Sequence, residues 1–250
     1  MMFILKTVRQ IDGIRKSCQI VAHVLSKLRK EVKEGVTTVF LNNLAEDLCF
    51  ARGGIPGFKG YRNFPFSICA SKNEEVVHGF PNNIPLRKGD ILSIDFGVLY
   101  KGWYGDSAFT VPVGNVSPEI SKIITVGKEC LEKAIDIAGP YCRLGSISNA
   151  IQRHAENNNY SIIKQFVGHG IGKNLHEDPQ IPNYGEHDRG LILRPGTVIA
   201  IEPMIAEGTH EVETLEDGWT TITKDRKLSV HFEHTIAITT CGVEILTNRN

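Results

Sequence analysis

The chain has 250 residues, of which 28 are basic, 28 are acidic and 41% are hydrophobic. This composition is typical of a globular protein with a substantial core, and it excludes a disulfide-stapled miniprotein and a disordered tail. A formal net charge of zero provides no field for a phosphate backbone, so we expect no nucleic-acid partner. No stretch approaches the ~20 apolar residues of a membrane helix, so we expect no membrane partner either.

The cysteines indicate a reducing compartment. None of the six forms a C-x-x-C pair, which argues against a zinc ribbon or a redox motif. A reduced cytoplasmic protein is the simplest interpretation. The first ten residues, MMFILKTVRQ, lack a basic leader and carry an apolar run too short for a signal peptide, so a cytoplasmic location is expected.

Apolar residues at helical spacing come first in the chain. Over residues 11–28 they recur every three or four positions, which predicts a long amphipathic helix. Thr37 or Thr38 is expected to cap a second helix. A strand-rich stretch follows, in which Lys101-Gly102 predicts a tight turn between the strands DILSIDFGVLY and WYGDSAFTV.

The same pattern returns about 110 positions later. Apolar residues of the first two helices match positions 110 residues further on, and LRKGDILSIDFG (86–97) matches LRPGTVIAIEPM (193–204) at a shift of 107. The second match aligns Asp95 with Glu202. Any two amphipathic helices match to some extent, but a near-constant shift over two helices and a strand favours a true internal repeat.

The repeat predicts a single α+β domain over 1–250. Its two helix-helix-sheet halves, roughly 10–115 and 120–245, would be related by an approximate two-fold axis. Such an axis brings equivalent strands together, so the aligned acids would face a common centre. We therefore expect the functional site between the halves.

Two acids lie on the arms of the predicted hairpin. With a two-residue loop, residues whose numbers sum to an odd value point to the same face of the sheet, and Asp95 and Asp106 meet that condition. Two carboxylates on one face repel each other unless a cation or a proton lies between them. Solvated strand ends are the alternative, but Asp95 lies in the apolar run ILSIDFGV, where an unpaired carboxylate is costly.

Two further acids, Glu202 and Glu233, also lie in strand-like segments, VIAIEPM and SVHFEHTIAI. Taken alone, Glu233 would be interpreted as an exposed acid on an edge strand. Four carboxylates that converge, however, require a multiply charged centre such as two divalent ions.

Histidines in distinctive segments are the next candidates. The glycine-rich segment GHGIGKNLHEDP supplies His169 and His176, and its glycines indicate a tightly shaped loop or strand end. His78, which glycine also follows, ends a predicted strand. Imidazole is a metal ligand and a proton carrier, although a structural hydrogen bond is the alternative for each ring. His231 and His234 flank the acid at 233, and we assign them a structural or supporting role.

Carboxylates with one imidazole suit manganese, iron, cobalt or zinc. Two such ions can share a water that becomes hydroxide near neutral pH, and they polarise a carbonyl, which fits hydrolysis of an amide or ester. Motifs of competing chemistries are missing, since there is no G-x-S-x-G elbow, P-loop or G-x-G-x-x-G. Cys69, in SICAS, has no positive neighbour in the sequence and is expected to be a buried thiol rather than a nucleophile.

Five segments carry a family resemblance. NEEVVHG, DFGVLYKGWYGDSAF, VGHGIGKNLHEDP, IEPM and HFEHT, in this order and spacing, closely resemble type I methionine aminopeptidases, and the resemblance covers essentially the whole chain. It implies the pita-bread fold, with two related α+β halves around a central antiparallel sheet. It also implies a metallo-exopeptidase that uses a dimetal-bound hydroxide to remove the initiator methionine when the second residue is small.

The resemblance further implies which residues hold the metals. Asp106 and Glu233 would bridge two divalent ions, cobalt, manganese, iron or zinc. Asp95 would complete the site of one ion, and His169 with Glu202 would complete the site of the other.

Roles on the substrate side follow from the same resemblance. His78 would contact the scissile amide nitrogen, His176 would steady the oxyanion, and Glu202 would handle the proton of the attacking water. The methionine would lie in an apolar pocket with Phe58 nearby. The pocket residues would be Tyr61, Phe64, Cys69 and Trp219.

The chain resembles the short bacterial or organellar form of the family, since it shows neither an N-terminal zinc-binding extension nor the long insertion of type II members. The resemblance implies nascent polypeptides as partners, at the ribosome or free of it, and a monomeric protein. Two alternatives are a non-catalytic binding module and a hydrolase of Xaa-Pro peptides. The complete set of ligand types argues against the first, and the aromatic pocket and short chain argue against the second.

Overall fold

The computed structural model describes residues 4–249 of the chain. Helix α1 begins with a capping box, in which the Thr7 hydroxyl accepts from the Gln10 amide and the Gln10 side chain accepts from the Thr7 amide. Thr37 caps α2, as predicted, by accepting from the Phe40 amide at 3.2 Å. The helices are α1 Val8–Glu31, α2 Thr38–Phe50, α3 Pro118–Ile137 and α4 Leu144–Asn157, and a single 3-10 turn covers Tyr61–Asn63.

The strands are mostly short, and the two longest, β4 and β5, have ten residues each. In chain order the strands are β1 Ile55–Pro56, β2 Cys69–Lys72, β3 Glu75–Val77, β4 Ile91–Tyr100, β5 Trp103–Pro112, β6 Ser161–Ile162, β7 Gly168–Gly170, β8 Glu177–Ile181, β9 Val198–Ile201, β10 Met204–Ala206, β11 Val212–Thr214, β12 Thr221–Thr223, β13 Ser229–His231, β14 His234–Thr239 and β15 Gly242–Ile245.

These strands form two larger and two smaller sheets. One larger sheet has the order β1-β4-β2 with β5 paired to β4, and the other has the order β15-β14-β9-β7-β8. The smaller sheets are β13-β10-β6 and β11-β12-β3. These pairings are antiparallel. With helices on antiparallel sheets, the predicted α+β class is confirmed.

The predicted hairpin between β4 and β5 is confirmed. Its strands pair from Tyr100 with Trp103 onward, and both loop residues are left-handed, Lys101 with φ 49° and Gly102 with φ 77°. Two positive φ values in a two-residue loop define a type I′ turn, whose twist matches that of the strands. The register puts the two acidic positions of the hairpin, 95 and 106, on one face of the sheet.

Helix α1 packs directly on this hairpin. Leu25 of α1 and Phe96 of β4 are completely buried, and complete burial of such a side chain contributes about 1.5–3 kcal/mol. The approach is so close that a Cβ at Gly105 would lie 2.7 Å from the amide nitrogen of Cys18. Gly105 directly precedes Asp106 in β5. This contact with α1 therefore fixes the position of β5 at the residue next to Asp106.

Side-chain hydroxyls join β5 to β14 and to the residues just before it. The Ser107 hydroxyl donates to the Glu233 carbonyl at 2.6 Å, and the Thr235 hydroxyl donates to the Asp106 carbonyl at 2.7 Å. The Glu233 amide donates to the Ala108 carbonyl at 3.0 Å. We call this set of bonds the β5–β14 seam. It brings the larger sheets together with an acid on each side.

Among residues 4–249, none of the helices combines the length and the apolar character needed to cross a bilayer. The division of the chain into one domain with two halves, 10–115 and 120–245, stays a prediction.

Candidate metal centre

The acids of the hairpin and of the seam meet at one place. Asp95 on β4 and Asp106 on β5 project from the same face, and Glu233 lies across the seam from Asp106. His169 on β7 approaches from the neighbouring sheet. One ligand atom from each of Asp106, His169 and Glu233 lies within 4.8 Å of the others, and all three residues are buried. Glu202, directly after β9, has its Oε1 3.7 Å from the His169 Nε2.

Three of the four carboxylates have one oxygen without a hydrogen-bond partner among the described residues. Asp95 Oδ1, Asp106 Oδ1 and Glu233 Oε1 are buried without a hydrogen bond among the described residues. A buried oxygen without a partner costs free energy, so each such oxygen requires an explanation. Cations bound at this cluster would supply the missing partners, and a donor set of carboxylates with one imidazole suits divalent first-row metals.

The raised pKa values of the four carboxyl groups also indicate a cation site. Burial raises the pKa of Asp95 to about 7. Burial, with Glu233 and Asp95 nearby, raises the pKa of Asp106 well above its usual range, and burial with neighbouring carboxylates does the same for Glu202 and Glu233. Four carboxyl groups that resist ionisation beside one another become good ligands when a divalent cation supplies the opposing charge. The residues present therefore fit a divalent metal centre.

The hydrogen bond made by His169 prepares its ring to bind a metal. Its Nδ1 lies 2.9 Å from the carbonyl oxygen of Gly170, which can only accept, so Nδ1 carries the hydrogen. Nε2 then has a free lone pair on the side of the carboxylates. Burial lowers the pKa of His169 to about 4, which keeps the ring neutral. A neutral imidazole held through its other nitrogen is the usual form of a metal ligand.

A cavity of about 900 Å³ opens above the carboxylates. One wall is apolar and contains the predicted pocket residues. Within it, Phe64 meets Trp219 edge to face with ring centroids 5.1 Å apart. Cys69 is buried, and burial with Asp95 nearby raises the pKa of its thiol well above the usual range, which does not favour a nucleophile. The predicted pocket residues that line the cavity are Phe58, Tyr61, Phe64, Cys69 and Trp219.

His78 lies on the same cavity in a strained backbone. Its φ of 61° is left-handed, a conformation that is uncommon for residues other than glycine although histidine adopts it more readily than most. The ring meets Phe166 and Trp219 edge to face, at centroid distances of 5.4 and 5.8 Å. Burial lowers the pKa of His78 to about 4, so the ring is neutral and can offer one donor and one acceptor.

His176 faces the cavity beside His169, with ring centroids 4.4 Å apart. Its Nδ1 lies 2.8 Å from the Tyr61 hydroxyl oxygen. Desolvation by the surrounding cavity wall, with His169 and Arg62 nearby, lowers the pKa of His176 to about 3, although the residue itself is exposed. The structure thus brings all the predicted site residues to one cavity, while their individual roles stay predictions.

Two further residues lie near the acids of the centre. His231, assigned only a supporting role, lines the cavity, and its Nε2 lies 3.8 Å from Glu202 Oε2 without a hydrogen bond. The available signal was its place two residues before Glu233 in a strand-like segment of the sequence. Arg249 donates to the Ser107 hydroxyl and its charge counteracts the rise in the pKa of Glu233; nothing in its sequence context indicated this. The other histidine that flanks Glu233, His234, has its Nδ1 2.8 Å from the hydroxyl oxygen of Thr247.

Metal-free protein is expected to lose stability as the pH rises above about 6.5. Asp106, Glu202 and Glu233 have raised pKa values when folded, so the native chain binds more protons than the unfolded chain, and the free energy of unfolding falls with pH. The buried histidines have lowered pKa values and act in the opposite direction, but only below their unfolded value of about 6.5.

Saturation with a divalent ion should reduce or reverse this fall, because the ion binds the deprotonated carboxylates of the folded chain. Denaturant unfolding at several pH values, with and without the ion, measures both slopes. Metal-free protein whose stability stayed constant or increased as the pH rose above about 6.5 would contradict the carboxylate cluster.

Comparisons with known proteins agree with this geometry. The sequence matches the profile of metallopeptidase family M24 over residues 12–240. Methionine aminopeptidase 1 of Bacillus subtilis (strain 168) is 49% identical over 246 residues, which cover 98% of this chain and 99% of that protein. The crystal structure of methionine aminopeptidase from Rickettsia prowazekii has a TM-score of 0.97 at 40% identity, covering 99% of this chain and 100% of that one.

A more distant likeness concerns the fold alone. Prolidase from Pyrococcus furiosus has a TM-score of 0.79 at 23% identity, and the match covers 99% of this chain but 66% of that one. The predicted pita-bread fold is confirmed by these structures, and the use of divalent metal agrees with a metallopeptidase family. The chain belongs to metallopeptidase family M24 and, within it, to the methionine aminopeptidases.

Proposed function

We propose that this protein hydrolyses the first peptide bond of polypeptides that begin with methionine followed by a small residue, in a metal-dependent reaction. The observation that carries the proposal is the convergence of four buried or half-buried carboxylates and His169 beneath a cavity with an aromatic wall. Nascent polypeptides are the proposed substrates. The cytoplasmic location, the monomeric state and any contact with the ribosome remain predictions.

The carboxylate cluster would hold two divalent ions. Asp106 and Glu233 face each other across the seam and would be shared between the ions. Asp95 would serve one ion, and His169 with Glu202 would serve the other, since their side chains lie 3.7 Å apart. When bound, such ions acidify a water molecule and polarise a carbonyl.

The side chains around the cluster would accept the proton of the water, contact the scissile bond and bind the methionine. Glu202 would accept the proton of the attacking water, and His78 would contact the nitrogen of the scissile bond. His176 would donate to the carbonyl oxygen as charge develops there, the type of contact that contributes most to acyl-transfer catalysis. The thioether of methionine would pack against the edges of Phe64 and Trp219, since sulfur makes favourable contacts with aromatic rings.

Release of free methionine from tripeptides tests the proposal. Chelated protein should be inactive on Met-Ala-Ser, and adding back one divalent ion at a time should restore release for the ions that the centre accepts. Met-Leu-Ser should be cleaved about 100-fold more slowly if, as the proposed function requires, the second residue must be small. Leu-Ala-Ser serves as the control for the first residue. Metal-replete protein that left Met-Ala-Ser intact would overturn the proposal.

A further inference from the structure

The side chain of Tyr61 is held against His176 by the turn that carries it. Gly60, Arg62 and Asn63 have φ values of 85°, 49° and 70°, so three of the four residues from 60 to 63 are left-handed. This turn directs the half-buried Tyr61 ring to the cavity wall, where its centroid lies 5.2 Å from that of His176. The hydroxyl oxygen is 2.8 Å from Nδ1 of the imidazole, a full hydrogen bond.

Chemistry sets the direction of this bond. A neutral imidazole has one nitrogen that donates and one that accepts, whereas a phenol can do either. A phenol O–H is a stronger acid than the N–H of a neutral imidazole, and an imidazole nitrogen is a stronger base than a phenol oxygen. The favoured arrangement therefore has Tyr61 donating to the Nδ1 lone pair, which leaves the hydrogen of His176 on Nε2.

The neighbouring histidine has the opposite arrangement. His169 donates from Nδ1 to the Gly170 carbonyl and keeps its lone pair on Nε2, as a metal ligand requires. His176, with its ring 4.4 Å away, would carry a hydrogen on Nε2 and could not coordinate a cation through that atom. The two histidines therefore differ in the partner of Nδ1. His169 keeps a lone pair on Nε2 for a metal, whereas His176 keeps a hydrogen on Nε2 for donation.

We propose that Tyr61 is a positioning residue, whose hydroxyl holds His176 in the tautomer that donates from Nε2 to the carbonyl oxygen of the substrate. The catalytic part of this inference rests on the proposed function, while the tautomer itself does not. It gives Tyr61 a task beyond forming the wall of the methionine pocket. The aromatic ring contacts the pocket, and the hydroxyl sets the donor of the neighbouring imidazole.

Nuclear magnetic resonance of the histidine ring nitrogens tests the tautomer directly. In ¹⁵N-labelled, metal-free protein near neutral pH, His176 should show a protonated Nε2 and an unprotonated Nδ1, and His169 should show the reverse. The His176 signals are assigned by their loss in His176→Ala. In Tyr61→Phe the two nitrogen shifts of His176 should move towards each other, because both tautomers become populated. A protonated Nδ1 in the wild type, or unchanged shifts in the variant, would overturn the assignment.

Steady-state kinetics test whether the Tyr61 hydroxyl contributes to turnover. Tyr61→Phe keeps the ring and removes one hydrogen bond, so kcat for methionine release should fall about tenfold while KM stays nearly constant. Tyr141→Phe removes a hydroxyl from an exposed tyrosine that does not line the cavity, and it should leave kcat unchanged. A kcat that Tyr61→Phe did not lower would overturn the positioning role. If the wild type releases no methionine, the proposed function fails, yet the nitrogen spectra still decide the tautomer.

Discussion

Replacing Glu233 with glutamine is expected to lower turnover by about 10³-fold and to lower the amount of divalent metal that the protein retains. The carboxylate is buried, one of its oxygens has no hydrogen bond within residues 4–249, and it faces Asp106 across the seam. The amide removes the negative charge that two cations would share but keeps nearly the same shape. Elemental analysis after dialysis against a defined ion, together with methionine release, measures both effects.

The exposed Glu213, paired with Arg226 at the surface, offers a control with the same loss of charge. Glu213→Gln should leave both metal content and turnover unchanged. The metal-free Glu233→Gln protein should be at least as stable as the metal-free wild type, because the substitution removes a buried carboxyl group whose ionisation the metal-free fold opposes at a cost in free energy. Full metal content in Glu233→Gln would refute a shared, bridging carboxylate.

The His176→Ala substitution is expected to lower kcat by about 10²–10³-fold, the cost of losing one donor to a developing oxyanion. Metal content should be unchanged, because the ring lies beside the cluster and its Nδ1 is occupied by Tyr61. Steady-state kinetics on Met-Ala-Ser, with metal analysis of the same samples, separates these outcomes. His187→Ala, at an exposed position, is the matched control.

A change in KM alone after His176→Ala would mean that the ring binds the ground state, and kcat would then not depend on it. A loss of bound metal would place His176 among the ligands instead. Either result would remove the role proposed for it.

Local sequence rules were sufficient to predict the part of the site that the β4–β5 hairpin carries. The two-residue turn fixes the register of β4 and β5, and the register puts Asp95 and Asp106 on one face. The internal match also aligned Asp95 with Glu202, and both line the same cavity. Such inferences succeed because strand alternation and turn length act over only a few residues.

Contacts between distant segments were beyond such rules. Nothing near Tyr61 in the sequence indicates that its hydroxyl meets a ring 115 positions away. The charge of Arg249 beside Glu233 depends on how the end of the chain packs against β5. The family resemblance implied a set of ligands, but it did not indicate that His231 would lie 3.8 Å from Glu202. These features depend on tertiary packing, which a single sequence does not reveal.

The hydroxyls of Ser107 and Thr235 never face the cavity, yet they tie the main chain of one acid-bearing segment to that of the other. These bonds therefore fix the separation of the two main-chain segments from which the carboxylates of Asp106 and Glu233 project. Divalent ions of different radius that bound there would have to adapt to a separation that the main chain sets. The hydroxyls of Ser107 and Thr235 would thus influence which metal binds, although neither is placed to contact an ion or the substrate.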